Sequence, residues 1–157
     1  MNYLIREMQK HEYTLLNDFL YEAIFQRDEN HLAPRTIIND SALQIYIKDF
    51  GTMKDDYCLC AEVEKKVVGA VWVRNIAGFG RVDDDTPEFA ISLYPDFRGN
   101  GIGTELVKQM LRVLQRKGYK KASLAVQKDN YALRMYQKIG FKIIGENTEE
   151  FLMEYRF

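Results

Sequence analysis

The chain is poor in residues that form cross-links. It has two cysteines and two histidines in 157 residues, too few for a disulfide framework. Cys58 and Cys60 together with His11 and His31 make a poor zinc set, so no metal is expected. The i, i+2 spacing of the cysteines in an alternating apolar run puts both thiols on one face of a strand. Proline is scarce, at three residues, and no Pro/Ser-rich tract or repeat divides the sequence, which reads as a single domain over 1–157. No apolar run reaches the ~18–20 residues of a membrane span. The opening Met1-Asn2-Tyr3-Leu4-Ile5-Arg6-Glu7 is charged, unlike a secretory signal. A reduced, cytoplasmic protein with no membrane partner is the expectation.

What is present is a globular composition, 46% hydrophobic and 29% charged, which excludes wholesale disorder. The net charge of −1 hides an asymmetry. Arg98 to Lys142 holds eleven basic and two acidic residues, while the remainder holds eleven basic and twenty-one acidic. Such a split suits one stretch meeting an anion and another facing a cation, although solvated helix faces would read the same way. The basic stretch has no recognisable recognition helix or exposed aromatic series, so nucleic acid is not an expected partner.

Periodicity predicts the elements. Asn2–Met8 alternates as a strand; His11–Phe25 has helical spacing in Leu15, Leu16, Phe19, Leu20, Ala23 and Ile24. A second helical stretch starts at Pro34 and runs to about Phe50. Tyr57–Val63 and Val67–Arg74 read as a hairpin, and Ile76–Pro87 as a loop. The strand Phe89–Tyr94 is followed by a helix, Ile102–Gln115, closed by Gly118. Ala122–Val126 is a strand, Tyr131–Ile139 a helix, and Phe141–Ile144 with Phe151–Tyr155 a final strand pair. This order describes a mixed α/β domain around one sheet.

The chemistry concentrates between Phe89 and Thr104. A strand ends, and Gly99, Gly101 and Gly103 open a helix, so backbone N–H groups converge beside the positive end of a helix dipole. That is a site for phosphate or pyrophosphate. The glycine spacing fails the dinucleotide fingerprint, and no lysine follows as a P-loop requires.

Arg98-Gly99-Asn100-Gly101-Ile102-Gly103 fits Arg/Gln-x-x-Gly-x-Gly/Ala, and Asp129-Asn130-Tyr131-Ala132 with Tyr136-Gln137-Lys138-Ile139-Gly140-Phe141 fits Asn-x-Ala…Tyr-x-x-x-Gly-Phe. On these motifs the sequence resembles the GNAT acyltransferase superfamily. The resemblance implies a mostly antiparallel, twisted mixed sheet of about seven strands flanked by about four helices. It also implies transfer of acetyl from acetyl-CoA to an amine. Two strands, Phe89–Tyr94 and Ala122–Val126, would splay to admit the pantetheine arm. Backbone groups of Ile91, Ser92 and Leu93 would bind that arm, the amides from Arg98 through Gly99, Asn100, Gly101 and Ile102 to Gly103 would cradle the pyrophosphate, and Asn130 would bind the arm or cap the helix after it.

By the same resemblance Tyr136 is the general acid for the departing thiolate, its alternative being a packed core tyrosine. Glu88 is the candidate base, directly or through water, or else an ordinary strand-end charge. The N–H of Leu93 or Tyr94 would meet the oxyanion. Acetyltransferases of ribosomal-protein N-termini carry a glutamate on the next strand where this chain has Ala125, which weighs against that branch. Acceptor specificity would fall to Phe25, Gln26, Arg27, Asp28, Glu29, His31, Tyr46, Trp72 and the Ala77–Glu88 loop. There Asp83, Asp84 and Asp85 would attract a cationic amine or simply be solvated. His31 is expected on the surface and Trp72 in the core. A small-molecule amine is the expected acceptor; the alternatives are a protein lysine or N-terminus, or an idle acyl-CoA-binding sensor. The molecule would act as monomer or homodimer.

Overall fold

The computed structural model describes all 157 residues. Seven strands form one sheet: β1 (Leu4–Glu7), β2 (Tyr57–Val63), β3 (Lys66–Arg74), β4 (Glu88–Leu93), β5 (Lys121–Gln127), β6 (Lys142–Glu146) and β7 (Glu150–Arg156), in the order β1-β2-β3-β4-β5-β7-β6. Every pairing is antiparallel except β4–β5. Four α-helices, α1 (Leu16–Ala23), α2 (Ser41–Gln44), α3 (Ile102–Arg116) and α4 (Ala132–Ile139), flank it. The strand and helix numbers match the expectation. No helix is long and apolar enough to cross a membrane.

Strand alternation sorts the core into two layers. Leu59, Val71, Phe89 and Leu124 meet the apolar stripe of α3 (Ile102, Leu106, Met110, Leu114) on one face. Cys58, Cys60, Ala70 and Trp72 meet Leu16, Phe19 and Leu20 of α1 on the other, so both thiols share a face and are buried and free. Trp72 is core, its Nε1 donating to the Tyr46 carbonyl at 3.0 Å. The β2–β3 hairpin turns on Glu64 and Lys65, both at positive φ, the two-residue geometry that suits strand twist.

The first helical stretch begins as a 3-10 turn, Lys10–Leu15, before α1. The second, expected to run from Pro34 to about Phe50, is broken. A 3-10 turn over Arg35–Asn39 ends at Asp40, whose extended ψ interrupts the helix and whose side chain caps the short α2 by accepting from the Ala42 N–H. The segment after α2 is pinned by a buried ion pair. Arg74 Nε reaches Asp56 Oδ1 at 2.8 Å, and its Nη1 donates to the carbonyls of Ile45 (3.0 Å) and Lys48 (2.7 Å). The two side chains are 3% and 1% exposed. Asp56→Ala leaves this guanidinium buried without its carboxylate, and a loss of about 3–5 kcal/mol is expected in denaturant unfolding. A change under 1 kcal/mol would show that solvent reaches the site.

Candidate active site

The sheet opens between its two parallel strands. Glu88↔Ser123 is the one registered β4–β5 pair, supported by Ser123 N–H donating to the Pro87 carbonyl at 3.1 Å. Beyond it β4 and β5 diverge around a cleft of about 1210 Å³. Tyr94 N–H donates to Val68 on β3 at 2.9 Å, and antiparallel alternation therefore turns the backbone of Ser92 toward β3 and that of Ile91 and Leu93 toward the cleft. Ser92 does not offer backbone groups as expected, and its hydroxyl donates to the Phe19 carbonyl at 2.6 Å. Tyr94 N–H is likewise engaged, so of the two expected donors only Leu93 N–H is free.

At the cleft mouth the chain turns into α3. Arg98 N–H is used on the Pro95 carbonyl, a second departure from the expected cradle. Its side chain ties the turn down, Nε to the Leu93 carbonyl at 3.2 Å and Nη2 to Glu22 Oε2 at 3.2 Å. The next six amides, Gly99 through Thr104, donate to no group in the protein; the last three are the orphan donors of a helix N-terminus. Gly99 and Gly101 have φ of 78° and 83°, and a Cβ on either would meet nothing within 4 Å. A concave row of unused N–H groups facing open space, with the α3 dipole behind it, fits a pyrophosphate. Asn100 contributes its amide there, its side chain folding back on the Phe97 and Arg98 carbonyls. Gly103 lies where α3 packs on β4; a Cβ there would meet Leu93 and Ile91 at 3.7 and 4.0 Å, ordinary contact, so its part in the turn is its free amide.

Tyr136 lies on α4 and is 7% exposed. Its ring packs edge-on against Phe141 at 5.9 Å, and the helix end is fixed by Phe141 N–H donating to the Tyr136 carbonyl. The residue lines the cleft. Its hydroxyl has no partner in the protein, yet is not a sealed unsatisfied atom, so it opens into the cleft. Burial pushes the phenol up, keeping it a neutral proton donor. Asn130 also lines the cleft; its Oδ1 accepts from Ala132 N–H at 2.9 Å, capping α4 and leaving the amide NH₂ free. Both readings of Asn130 are thus compatible.

Glu88 does not fit the role of base. It is 2% exposed, and three donors close on its carboxylate: Gly78 N–H (2.9 Å), Gly80 N–H (3.0 Å) and Tyr46 O–H (2.9 Å). Tyr46 in turn accepts from Phe79 N–H at 2.9 Å. Burial raises the Glu88 carboxyl, offset in part by these bonds, Tyr46 first. The carboxylate latches the Gly78-Phe79-Gly80 turn into the base of the splay. There Gly80 lies so close to β5 that a Cβ would come within 2.9 Å of Ala125 N, and its carbonyl accepts from Ser123 Oγ at 2.6 Å. The turn sets Phe79 parallel to Tyr46, both lining the cleft. Glu88→Gln puts an NH₂ among these donors. It is expected to raise the acceptor KM by about 3- to 30-fold, one charge-assisted hydrogen bond or more being lost, with the pH dependence of kcat/KM unchanged. A deficit confined to low pH would restore Glu88 as base.

The acidic loop is also engaged. Asp83 pairs with Lys121 at 2.6 Å and accepts from Thr86, which holds its carboxyl well below the usual range. Asp84 pairs with Arg81, and none of Asp83, Asp84 and Asp85 lines the cleft. His31 is exposed and bonded to Asp28. Of the other expected specificity residues, Phe25, Gln26, Glu29 and Tyr46 line the cleft, while Arg27 does not and pairs with Asp129 at 2.6 Å and with Gln127 at 2.7 Å. Sequence reasoning missed Glu22, Glu149 and Glu150, which also line it; no motif marks them.

The family model described as Acetyltransferase (GNAT) family matches residues 5–141. An acetyltransferase of Pectobacterium atrosepticum is 32% identical over 91 residues, 57% of this chain and 60% of that protein. Mycothiol acetyltransferase of Corynebacterium aurimucosum is 36% identical over 69 residues, 41% of this chain and 23% of that protein. The chain thus matches less than two thirds of the length of these curated relatives. Among solved structures, PaiA N-acetyltransferase of Thermoplasma acidophilum in complex with coenzyme A superposes with a TM-score of 0.74 at 20% identity, covering 100% of both chains. A GNAT-family acetyltransferase of Streptococcus pneumoniae gives 0.70 at 21%, covering 99% of this chain and 100% of that one. With the splayed parallel strands, the turn of free amides and a family match over most of its length, the chain belongs to the GNAT family of acetyltransferases.

Proposed function

We propose that this chain transfers acetyl from acetyl-CoA to a primary amine by direct attack, with a small-molecule amine as acceptor. The observation that carries this reading is the run of free amides from Gly99 to Thr104 at the mouth of a cleft into which the Tyr136 hydroxyl opens. Gly99, Asn100, Gly101, Ile102 and Gly103 would hold the pyrophosphate; Ile91 and Leu93 would present backbone groups to the pantetheine amides, as would the Asn130 NH₂. Bound there, acetyl-CoA supplies a thioester whose acyl carbon is open to a nucleophile. Leu93 N–H stabilises the negative charge that develops on the carbonyl oxygen. Tyr136 Oη holds the proton for the leaving sulfur. The molecule would act as monomer or homodimer. The buried free thiols of Cys58 and Cys60 suit the reducing cytoplasm.

The test is acetyl-CoA turnover across small amines, amino acids and lysine peptides. Acetylation of small amines at rates above those of peptides is the expected result. Tight CoA binding without turnover of any amine would turn the reading into that of a sensor.

A further inference from the structure

An acceptor amine is an ammonium ion near neutral pH and must lose a proton before it attacks. The cleft therefore needs a proton acceptor, and most of its polar groups are already used. Glu88 is closed in by three donors, Tyr46 O–H donates to Glu88 while accepting from Phe79, and Glu22 is held by Arg98. Glu29 and Glu149 are exposed at the rim. One carboxylate remains. Glu150 opens β7 directly opposite Gln127 on β5, is half-buried and lines the cleft, and takes part in the structure's hydrogen bonds only through its backbone.

Its direction follows from the register. Paired residues share a face of the sheet, and the Gln127 side chain meets Arg27 of the α1–α2 connection. Glu150 therefore projects to the face opposite α3, where Tyr46, Phe79 and the Ala125 side chain lie. The free amides at the start of α3 belong to the other side of the cleft. The two sides suit two ligands meeting in the middle. We propose that Glu150 is the catalytic base that takes the proton from the acceptor ammonium, an assignment that rests on the acetyl-transfer reading above.

The protons balance. The ammonium gives one proton to a Glu150 oxygen, which passes it to water. The nitrogen lone pair then forms the C–N bond as the C–S bond breaks. Sulfur takes a proton from Tyr136 Oη, and the second proton leaving the nitrogen restores the phenol, so one proton is released per turnover. The charges around Glu150 are few. Tyr46 lines the same cleft, with Glu88 buried behind it, and Glu150 is among the charges that raise the Tyr46 phenol. Glu149 precedes it, Glu29 lies at the rim, and Arg27 is neutralised by Asp129 and Lys128 by Glu146.

The test compares wild type with Glu150→Gln on two probes, n-butylamine, an ammonium at neutral pH, and trifluoroethylamine, largely a free base there. Acetyl-CoA is saturating, and CoA affinity is measured separately by calorimetry. The expected result is that kcat/KM for n-butylamine falls about 100-fold at about pH 7. That loss shrinks as pH rises, is at least tenfold smaller with trifluoroethylamine, and comes with unchanged CoA affinity. Equal losses on both amines at every pH, or no loss on either, would overturn the assignment of Glu150 while leaving acetyl transfer standing. A wild-type protein that binds CoA but acetylates neither these amines nor any amine, amino acid or peptide of the wider panel would overturn the acetyl-transfer reading, and the base with it.

Discussion

Gly101→Asp is expected to abolish CoA binding while leaving the fold intact. The position has φ of 83° and open space where a side chain would project. The new carboxylate therefore stands in the concavity that the free amides surround, and its charge opposes a diphosphate directly. Displacing two charge-assisted hydrogen bonds, each worth ~1.5–3 kcal/mol, lowers affinity by about 100-fold or more. Stability is the control. The left-handed φ costs a non-glycine residue about 1–2 kcal/mol, less for aspartate than for most, so the melting temperature should fall by only a few degrees. Calorimetric titration with CoA checks the first half of the prediction and thermal unfolding the second. A folded variant with wild-type CoA affinity would remove the turn from the ligand site.

Tyr136→Phe should lower kcat by about 10- to 1000-fold with little change in CoA affinity, general acid catalysis being worth ~10²–10⁴. The substitution suits the question because the ring contact with Phe141 survives and the hydroxyl has no protein partner to orphan. An effect on the chemical step without one on binding identifies an interaction made in the transition state. Since burial raises the phenol, the wild-type rate should show no loss of the acid up to at least about pH 10, the ordinary tyrosine range. Wild-type kcat in the variant would make Tyr136 a packing residue. Calorimetry with CoA and steady-state kinetics on the same preparations separate the two predictions, because one removes binding and the other turnover.

Local signals made much of this protein legible. Alternation located the strands to within about two residues, and the stripe of Ile102, Leu106, Met110 and Leu114 identified α3 because a 15-residue amphipathic helix carries several repeats of its period. The glycine turn was readable because its function requires a residue type, not merely a location. The region between α1 and β2 was not, since Asp40 can cap a short helix or sit within a long one and only the surrounding packing decides. Glu88 misled for a related reason. Its place at the head of β4 was correct, but the donors that close on it come from Tyr46, 42 residues earlier, and from a turn about ten residues before it. Glu150 gave no signal at all, because its significance comes from the register with Gln127 and from lacking a partner, and neither is written in its neighbours.

The single β4–β5 bridge also divides the folding problem. Strands β1 to β4 come from residues 4–93 and strands β5 to β7 from residues 121–156, so each half-sheet is closed by pairings within one contiguous segment. Helix α3 is the hinge pin between them, packing on β2, β3 and β4 and touching α4. Neither half contains the cleft; it comes into existence when the two dock. A partly folded species with one half ordered would have no ligand site, so a ligand that binds the cleft stabilises the docked state alone, by RT ln(1 + [L]/Kd). The rise in melting temperature with ligand concentration then reports Kd for the docked state, and the ligand reinforces a seam that has only one rung of backbone pairing to hold it.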